Sequence, residues 1–381
     1  MSENSQLRGQ RKIVFVLGNG FDLDLGLKTS YKDFWESESC PKDYPAPLIH
    51  HLNECWPDNR GAVRWYDLEN ELFNYYQKYL GLRSTIDVLT PSEIKFVEAF
   101  DPIKMAFGIN ASQDVEAFQS LYNKGYLIEV APINGLRYRM PYQKDMLESF
   151  VWRDRKAFQL IKKGLCEYLK TIENQACNGK SIAKKVLAAA GFDVENKDKV
   201  IIYTFNYTSI RPSSWPLPKD SVYYVHGNCQ SDSIILGAGD RLNMDQDYDF
   251  LQKSFDTNYA PPALVKDLLE ADNVIIFGHS FGENDRQYFK PFFKHQADYS
   301  MARRKDITIF TRNEDSEIQI KRALQEMTEG ALSALFGLND FRIIRTATPQ
   351  QEYRKLESFL LNNHFTQEQA DFSLRDLIEN E

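Results

Sequence analysis

The stretch KIVFVLGNGFDLDLGLKTSYKDFW, Lys12–Trp35, decides how the fold is read. Lys12–Leu17 is a short, nearly continuous apolar run rich in Val and Ile, the pattern of a strand buried on both faces. It stops at Gly18-Asn19-Gly20. A glycine turn lets backbone approach a ligand closely, and a helix amino terminus behind it favours phosphate. The turn is an incomplete dinucleotide fingerprint, because the third glycine would fall at Leu23. Asp22 and Asp24 bring negative charge beside any phosphate, and capping or turn formation accounts for them equally well. A helix is expected over Thr29–Glu36, with Thr29 or Ser30 as its cap.

Outward from this stretch, Cys40–Arg60 is rich in Pro and Asn and reads as a loop, while Trp65–Leu82 has helical spacing through Leu68, Leu72, Tyr75, Tyr76 and Tyr79. Residues 83–190 lack convincing alternating strands. Val151–Leu169 is periodic through Phe158, Ile161, Leu165 and Leu169, and loops are expected around Pro132 and Pro141. After Gly191 the texture changes to short apolar runs: Val200–Thr204, Val222–Val225, Ile234–Leu236, Val274–Phe277, Ile307–Phe310 and Phe341–Arg345. Helical stretches, Pro262–Glu270, Asp285–Phe293 and Asp315–Gln325, separate the later ones. Strands alternating with helices imply an α/β fold, a doubly wound and mainly parallel sheet of Rossmann-like form. The expected organisation is a core from residues 1–36 and 191–350, a mostly helical insertion over 37–190, and a carboxyl-terminal helix and frayed acidic tail over 351–381.

The chain of 381 residues is 43% hydrophobic and 26% charged, an ordinary globular composition. Its net charge of -8 argues against nucleic acid or anionic membrane as partners, since both demand a basic footprint. Cys40, Cys55, Cys166, Cys177 and Cys229 are scattered without a C-x-x-C pair, which reads as reduced thiols. No secretory apolar region follows Met1, and no run approaches the roughly 18 residues of a membrane span. The expectation is a cytoplasmic protein with no membrane partner.

In an open α/β sheet, ligands bind beyond the carboxyl ends of the strands. Here those ends read Gly18-Asn19-Gly20, Asn206-Tyr207, His226-Gly227-Asn228, Gly237-Ala238-Gly239-Asp240 and Gly278-His279-Ser280. His226 can take a proton from a hydroxyl near neutral pH. Asn206 can orient a water or a ribose hydroxyl, or simply serve a turn. Glu69 lies on an expected helix from which it could reach the site, but a solvated helix face accounts for it better. A rival motif is Gly278-His279-Ser280-Phe281-Gly282, a G-x-S-x-G following a strand, as in a serine hydrolase elbow. Asp306 or Asp340 and His295 or His364 could complete that order, but Glu283-Asn284-Asp285-Arg286 reads as a polar loop where the elbow needs a tight helix. His50 and His51 are adjacent and face apart, with no H-E-x-x-H, so no metal is expected. No P-loop pattern occurs.

Together, LGNGFDLDLGLKTSYKDF at Leu17–Phe34, the W-x-D-L-E segment at Trp65–Glu69, TFNYT at Thr204–Thr208, VHGN at Val225–Asn228 and IIFGHSFGENDRQYF at Ile275–Phe289 resemble the bacteriophage abortive infection AbiH family. The resemblance implies anti-phage defence, in which an infected cell stops phage production at its own expense. More remotely, the motif order is similar to the sirtuin-like NAD-hydrolysing domains of defence proteins. That similarity implies a nucleotide site from Gly18, Asn19, Gly20, Asp22, Gly227, Gly278, Ser280 and Asp285, with Asn206 and His226 as the catalytic pair. NAD would be the substrate, cleaved to nicotinamide and ADP-ribose. Asn19 stands where the deacetylases carry alanine, and their zinc-binding cysteine quartet is missing, which argues against deacetylation. A protein partner or homo-oligomer controlling activity is expected. A nucleotide-binding sensor without turnover is the alternative.

Overall fold

The computed structural model describes residues 11–55, 67–86, 127–133, 136–141, 144–175, 181–191, 199–210, 221–239, 244–348 and 350–362. Expectations for the amino-terminal arm, the region 87–126, Cys177, Asp240, His364 and the acidic tail lie outside them. In chain order the first elements are β1 (Lys12–Leu17), α1 (Asn19–Asp24), α2 (Tyr31–Glu36), α3 (Pro47–Cys55), α4 (Leu68–Ile86), β2 (Leu127–Ile133), β3 (Leu136–Pro141), α5 (Lys144–Glu173) and α6 (Ile182–Gly191). There follow β4 (Lys199–Thr204), β5 (Val222–Tyr224), α7 (Leu264–Glu270), β6 (Asn273–Phe277), α8 (Lys290–Gln296), β7 (Asp306–Thr311), α9 (Glu314–Met327), α10 (Leu332–Leu338), β8 (Asp340–Arg345) and α11 (Tyr353–Asn362).

The chain divides into two compact units, one of Met1–Phe34, Cys166–Ile235 and Thr257–Glu381, the other of Trp35–Leu165 and Leu236–Asp256. The first unit holds a six-stranded, all-parallel sheet ordered β5-β4-β1-β6-β7-β8. Counted by its own strands the order is 3-2-1-4-5-6, that of the doubly wound dinucleotide-binding folds, with the reversal between β1 and β6. β1 is central and buried on both faces, so Ile13, Val14, Phe15, Val16 and Leu17 are all at most 1% exposed. That explains an apolar run without alternation. Each such side chain contributes on the order of 1.5–3 kcal/mol. One face packs Val14, Val16, Ile201, Tyr203, Val274 and Ile276 into a core with Phe281, Phe289, Phe292 and Phe293.

Local signals account for most element ends. Ser30 Oγ accepts from the Asp33 amide at 3.1 Å, while the Asp33 carboxylate accepts from the Ser30 amide at 3.3 Å, a reciprocal cap that starts α2 at Tyr31. Asn313 accepts from the Ser316 amide and caps α9. Two expectations fail here. Ile234–Leu236 is not a strand of the sheet; it is buried to 2%, 3% and 1% exposure with its Ile235 amide bonded to the His226 carbonyl, so burial without a ladder produced its apolar run. The helix expected over Asp285–Phe293 begins later, a 3-10 turn at Arg286–Tyr288 preceding α8.

In the second unit, α3 occupies the Pro- and Asn-rich stretch expected to be a loop, with Pro47 as its first residue, where a missing N–H costs nothing. The antiparallel pair β2–β3 was not expected, and Pro132 and Pro141 lie in those strands rather than in loops. The register shifts between Val130 and Ile133, so Pro132 sits where the ladder is interrupted. Asp154 is buried and accepts hydrogen bonds from Tyr75 Oη, Tyr248 Oη (2.7 Å) and the Leu48 amide (2.8 Å). Burial pushes its carboxyl up to about 6 against these bonds. Glu69 is also buried and pairs with Lys253 at 2.8 Å, which corrects the expectation of a solvated face. Among the described residues, no helix is long and apolar enough to cross a membrane.

Candidate active site at the sheet reversal

The parallel registers bring strand ends onto one rim. Leu17 pairs with Thr204 and Phe277, and Thr204 with Tyr224, so the residues that follow each strand leave the sheet side by side. The turns after β1, β4, β5 and β6 thus converge. Gly237-Ala238-Gly239, expected with them, follows no strand and belongs to the second unit, where Ala238 bridges Gln252.

At the reversal the backbones of β1 and β6 exits touch. The Gly18 amide donates to the Phe277 carbonyl and the Gly20 amide to the Gly278 carbonyl, each at 2.9 Å. A Cβ on Gly18 would sit 2.6 Å from His279 Cα, and one on Gly20 2.6 Å from Gly278 Cα. Two of the three amides of this turn are therefore engaged within the protein, and its glycines serve close packing. Gly18 caps α1, and Asn19 Oδ1 accepts from Thr29 Oγ1 at 2.6 Å.

Asp22 and Asp24 part company. Asp24 accepts from Ser181 Oγ (2.7 Å) and the Ala183 amide (2.8 Å), capping the distant helix α6. Asp22 is 4% exposed and accepts from Thr208 Oγ1 and from the Asn206 side chain. Desolvation pushes its carboxyl up to about 7; the bonds from Thr208 and Asn206 oppose the shift, and the charge of Glu173 adds to it. Because Asp22 takes the Asn206 amide hydrogen, Asn206 Oδ1 faces the other way. That oxygen is buried without a hydrogen-bond partner, and an unmet acceptor at a buried site is costly.

His226 is held from the opposite side. It is 3% exposed, and its Nε2–H donates to Asp285 Oδ1 at 2.9 Å, which leaves Nδ1 to carry the lone pair. The second Asp285 oxygen lies 3.6 Å from His279 Nε2, and His279 Nδ1 accepts the Phe281 amide at 3.0 Å. One carboxylate thus stands between two histidines. Phe205 lies edge-on to both rings, 5.2 Å from His226 and 4.5 Å from His279 between centroids. Gly227 is required by shape: its φ is +74°, and a Cβ would fall 1.9 Å from the Ser233 carbonyl oxygen.

Of the residues expected at the site, Asn206 and Asp22 form one bonded pair and His226 and Asp285 another; Gly18, Asn19, Gly20, Gly227 and Gly278 form the turns beneath them. Ser280 is exposed and, among the described residues, bonds no histidine. The strained backbone of its motif falls on Phe281, with φ of 53°, rather than on the serine as a nucleophile elbow requires. Thr208 and Phe205 were not singled out from sequence, and His279 stood among the strand-end residues without a role. Thr208 is visible only as the end of TFNYT, and nothing in a linear reading joins it to Asp22.

One prediction arises from Asp22. In the folded protein its carboxyl is pushed up to about 7, above the ordinary aspartate value of 3.8. Between the two, the folded protein keeps a proton that the unfolded chain has released, so this group's stabilisation is whole at low pH and is lost as pH rises towards 7. Denaturation of wild type and Asp22→Asn at about pH 5 and pH 8 should show a smaller pH-dependent loss in the variant. Equal slopes would refute the shift.

A family model described as bacteriophage abortive infection AbiH matches residues 14–303, more than half of the protein. Neither a curated protein nor a solved structure matches it.

Proposed function

The chain belongs to the bacteriophage abortive infection AbiH family and so acts in defence against phage; from that premise we propose that it is an NAD glycohydrolase working at the β1–β6 reversal. The observation that carries the reading is the buried, unmet Asn206 Oδ1, turned away from Asp22, within a rim that also presents the Asp285-oriented His226. A ribose hydroxyl or a water would complete that acceptor.

The chemistry follows from charge. The nicotinamide of NAD is bonded to ribose as a cationic pyridinium. When that C–N bond breaks, its electron pair stays with the ring nitrogen and nicotinamide leaves neutral, while positive charge passes to the sugar. Water then adds to the anomeric carbon and gives its proton to His226 Nδ1, while Asn206 Oδ1 orients the attacking oxygen. Asp285 holds the imidazole in the tautomer that has its lone pair on Nδ1. Most of the acceleration comes from orienting the water and stabilising the oxocarbenium-like sugar. Activity is gated by a partner protein or by self-assembly, since an enzyme that depletes NAD must stay silent before infection.

The test is incubation of the purified protein with NAD and chromatography of the products. Nicotinamide release that drops at least ~100-fold in Asn206→Ala supports the reading. Bound NAD with no product would make the protein a nucleotide-binding regulator instead. Labelling of Ser280 by a fluorophosphonate probe would favour a serine hydrolase.

A further inference from the structure

A second cluster of reactive side chains lies in the second unit, on the faces that α3 and α4 turn to each other. His51 and Cys55 are one helical turn apart on α3, so both project from the same side. Glu71 stands in the first turn of α4. His51 Nε2 is 3.6 Å from Cys55 Sγ and 3.6 Å from Glu71 Oε2. The three donor atoms all lie within 4.8 Å of one another.

We propose that His51, Cys55 and Glu71 form a binding site for a borderline-soft divalent cation, zinc being the natural occupant. Zinc–nitrogen bonds of about 2.0–2.1 Å, zinc–sulfur bonds of about 2.3 Å and zinc–oxygen bonds of about 2.0–2.2 Å, at tetrahedral angles, place donors roughly 3.3–3.6 Å apart. The His51–Cys55 and His51–Glu71 separations meet that range. Imidazole and thiolate select for zinc and its relatives over magnesium or calcium, which prefer oxygen cages. Helix packing holds the ligands: Leu48, Ile49 and Leu52 on α3 and Leu68, Leu72 and Tyr76 on α4 are all at most 1% exposed. The His51 ring also rests 5.4 Å from that of Tyr75. Cys55 is exposed and the side chains of His51 and Glu71 are only 11% and 23% exposed, so a fourth position opens to solvent. A cation here would clip α3 to α4. Sequence alone suggested only that His50 and His51 face apart; the carboxylate comes from a separate helix. The site does not depend on the NAD reading.

The test is titration of the full-length protein with Co²⁺, a coloured stand-in for zinc, followed by displacement with Zn²⁺ in the presence of a chelating dye. One equivalent should bind and give a thiolate-to-cobalt charge-transfer band. Cys55→Ser should abolish that band, and Glu71→Gln or His51→Ala should weaken Zn²⁺ binding at least ~10-fold. Zn²⁺ should also raise the melting temperature of the wild type and leave Cys55→Ser unmoved. Circular dichroism shows whether each variant is folded, and Cys55→Ser, an exposed isosteric change, keeps the test decisive. The absence of a charge-transfer band in the wild type overturns the proposal, as does a band that survives in Cys55→Ser.

Discussion

On the proposed glycohydrolase chemistry, His226→Ala should lower NAD turnover by about 10²–10⁴-fold, the span that a positioned general base contributes, while leaving the fold intact. The ring occupies a buried position against Phe205 and Tyr288, so some stability is lost as well; His226→Gln fills that space and separates the two effects. If His226→Gln is folded and retains full turnover, the histidine is not the base. Asp285→Asn is the companion change. It keeps the shape and removes the charge that fixes the proton on Nε2, so the limb of the pH–rate profile belonging to His226 should move, with a smaller fall in rate than for His226→Ala. A purely structural role for Asp285 would leave that profile in place.

A large loss of stability should come from Gly278→Ala. Gly278 has φ of +65°, and a Cβ there would lie 2.5 Å from Gly20 Cα, from the Gly20 carbonyl carbon and from the Phe21 amide nitrogen. All of these are backbone atoms of the sheet reversal, so nothing can swing aside. Backbone strain of about 1–2 kcal/mol adds to the overlap, and the total should exceed about 3 kcal/mol, enough to bring a marginally stable unit close to unfolding. Two controls bracket the result. A Cβ on Gly282 meets only Ser280 Oγ at 3.8 Å, and one on Gly337, within α10, meets nothing within 4 Å. Gly282→Ala should be nearly neutral, and Gly337→Ala should stabilise by about 0.5–1 kcal/mol. Denaturant midpoints of the three variants check the ranking, and a Gly278→Ala protein as stable as Gly282→Ala refutes the close-packing account.

The parallel core was legible because central strands are buried on both faces: β1, β4, β6 and β7 each announce themselves as an apolar run closed by a small or polar residue. What the sequence hid was of three kinds. Ile234–Leu236 carries the same apolar signature as a strand, because burial, and not pairing, is what the pattern reports. Pro132 obscured β2, since a proline is tolerated in a strand only where the ladder is already broken. Partnerships over long separations were invisible: nothing near Asp24 says that it caps α6, and nothing near Thr208 says that it binds Asp22. The turns after β1, β4, β5 and β6 were expected along one rim and lie there, whereas the Gly237–Gly239 turn, expected with them, follows no strand. Which nitrogen of His226 is engaged, that Asp285 serves it, and that His279 shares that carboxylate all depend on side-chain directions that no spacing rule supplies.

The central place of β1 has a consequence for how the protein is made. Leu17 leaves the ribosome well before its neighbours in the sheet, Thr204 and Phe277, which are encoded far downstream of it. At about 5–20 residues per second, the first of them emerges roughly 10–40 s later. Throughout that interval KIVFVL is an apolar strand with both edges open, the kind of segment that pairs with whatever is nearby. Nascent chains should therefore depend on a holding chaperone until β6 is out, and a message cut short before β6 should yield an aggregating product rather than a half-active one.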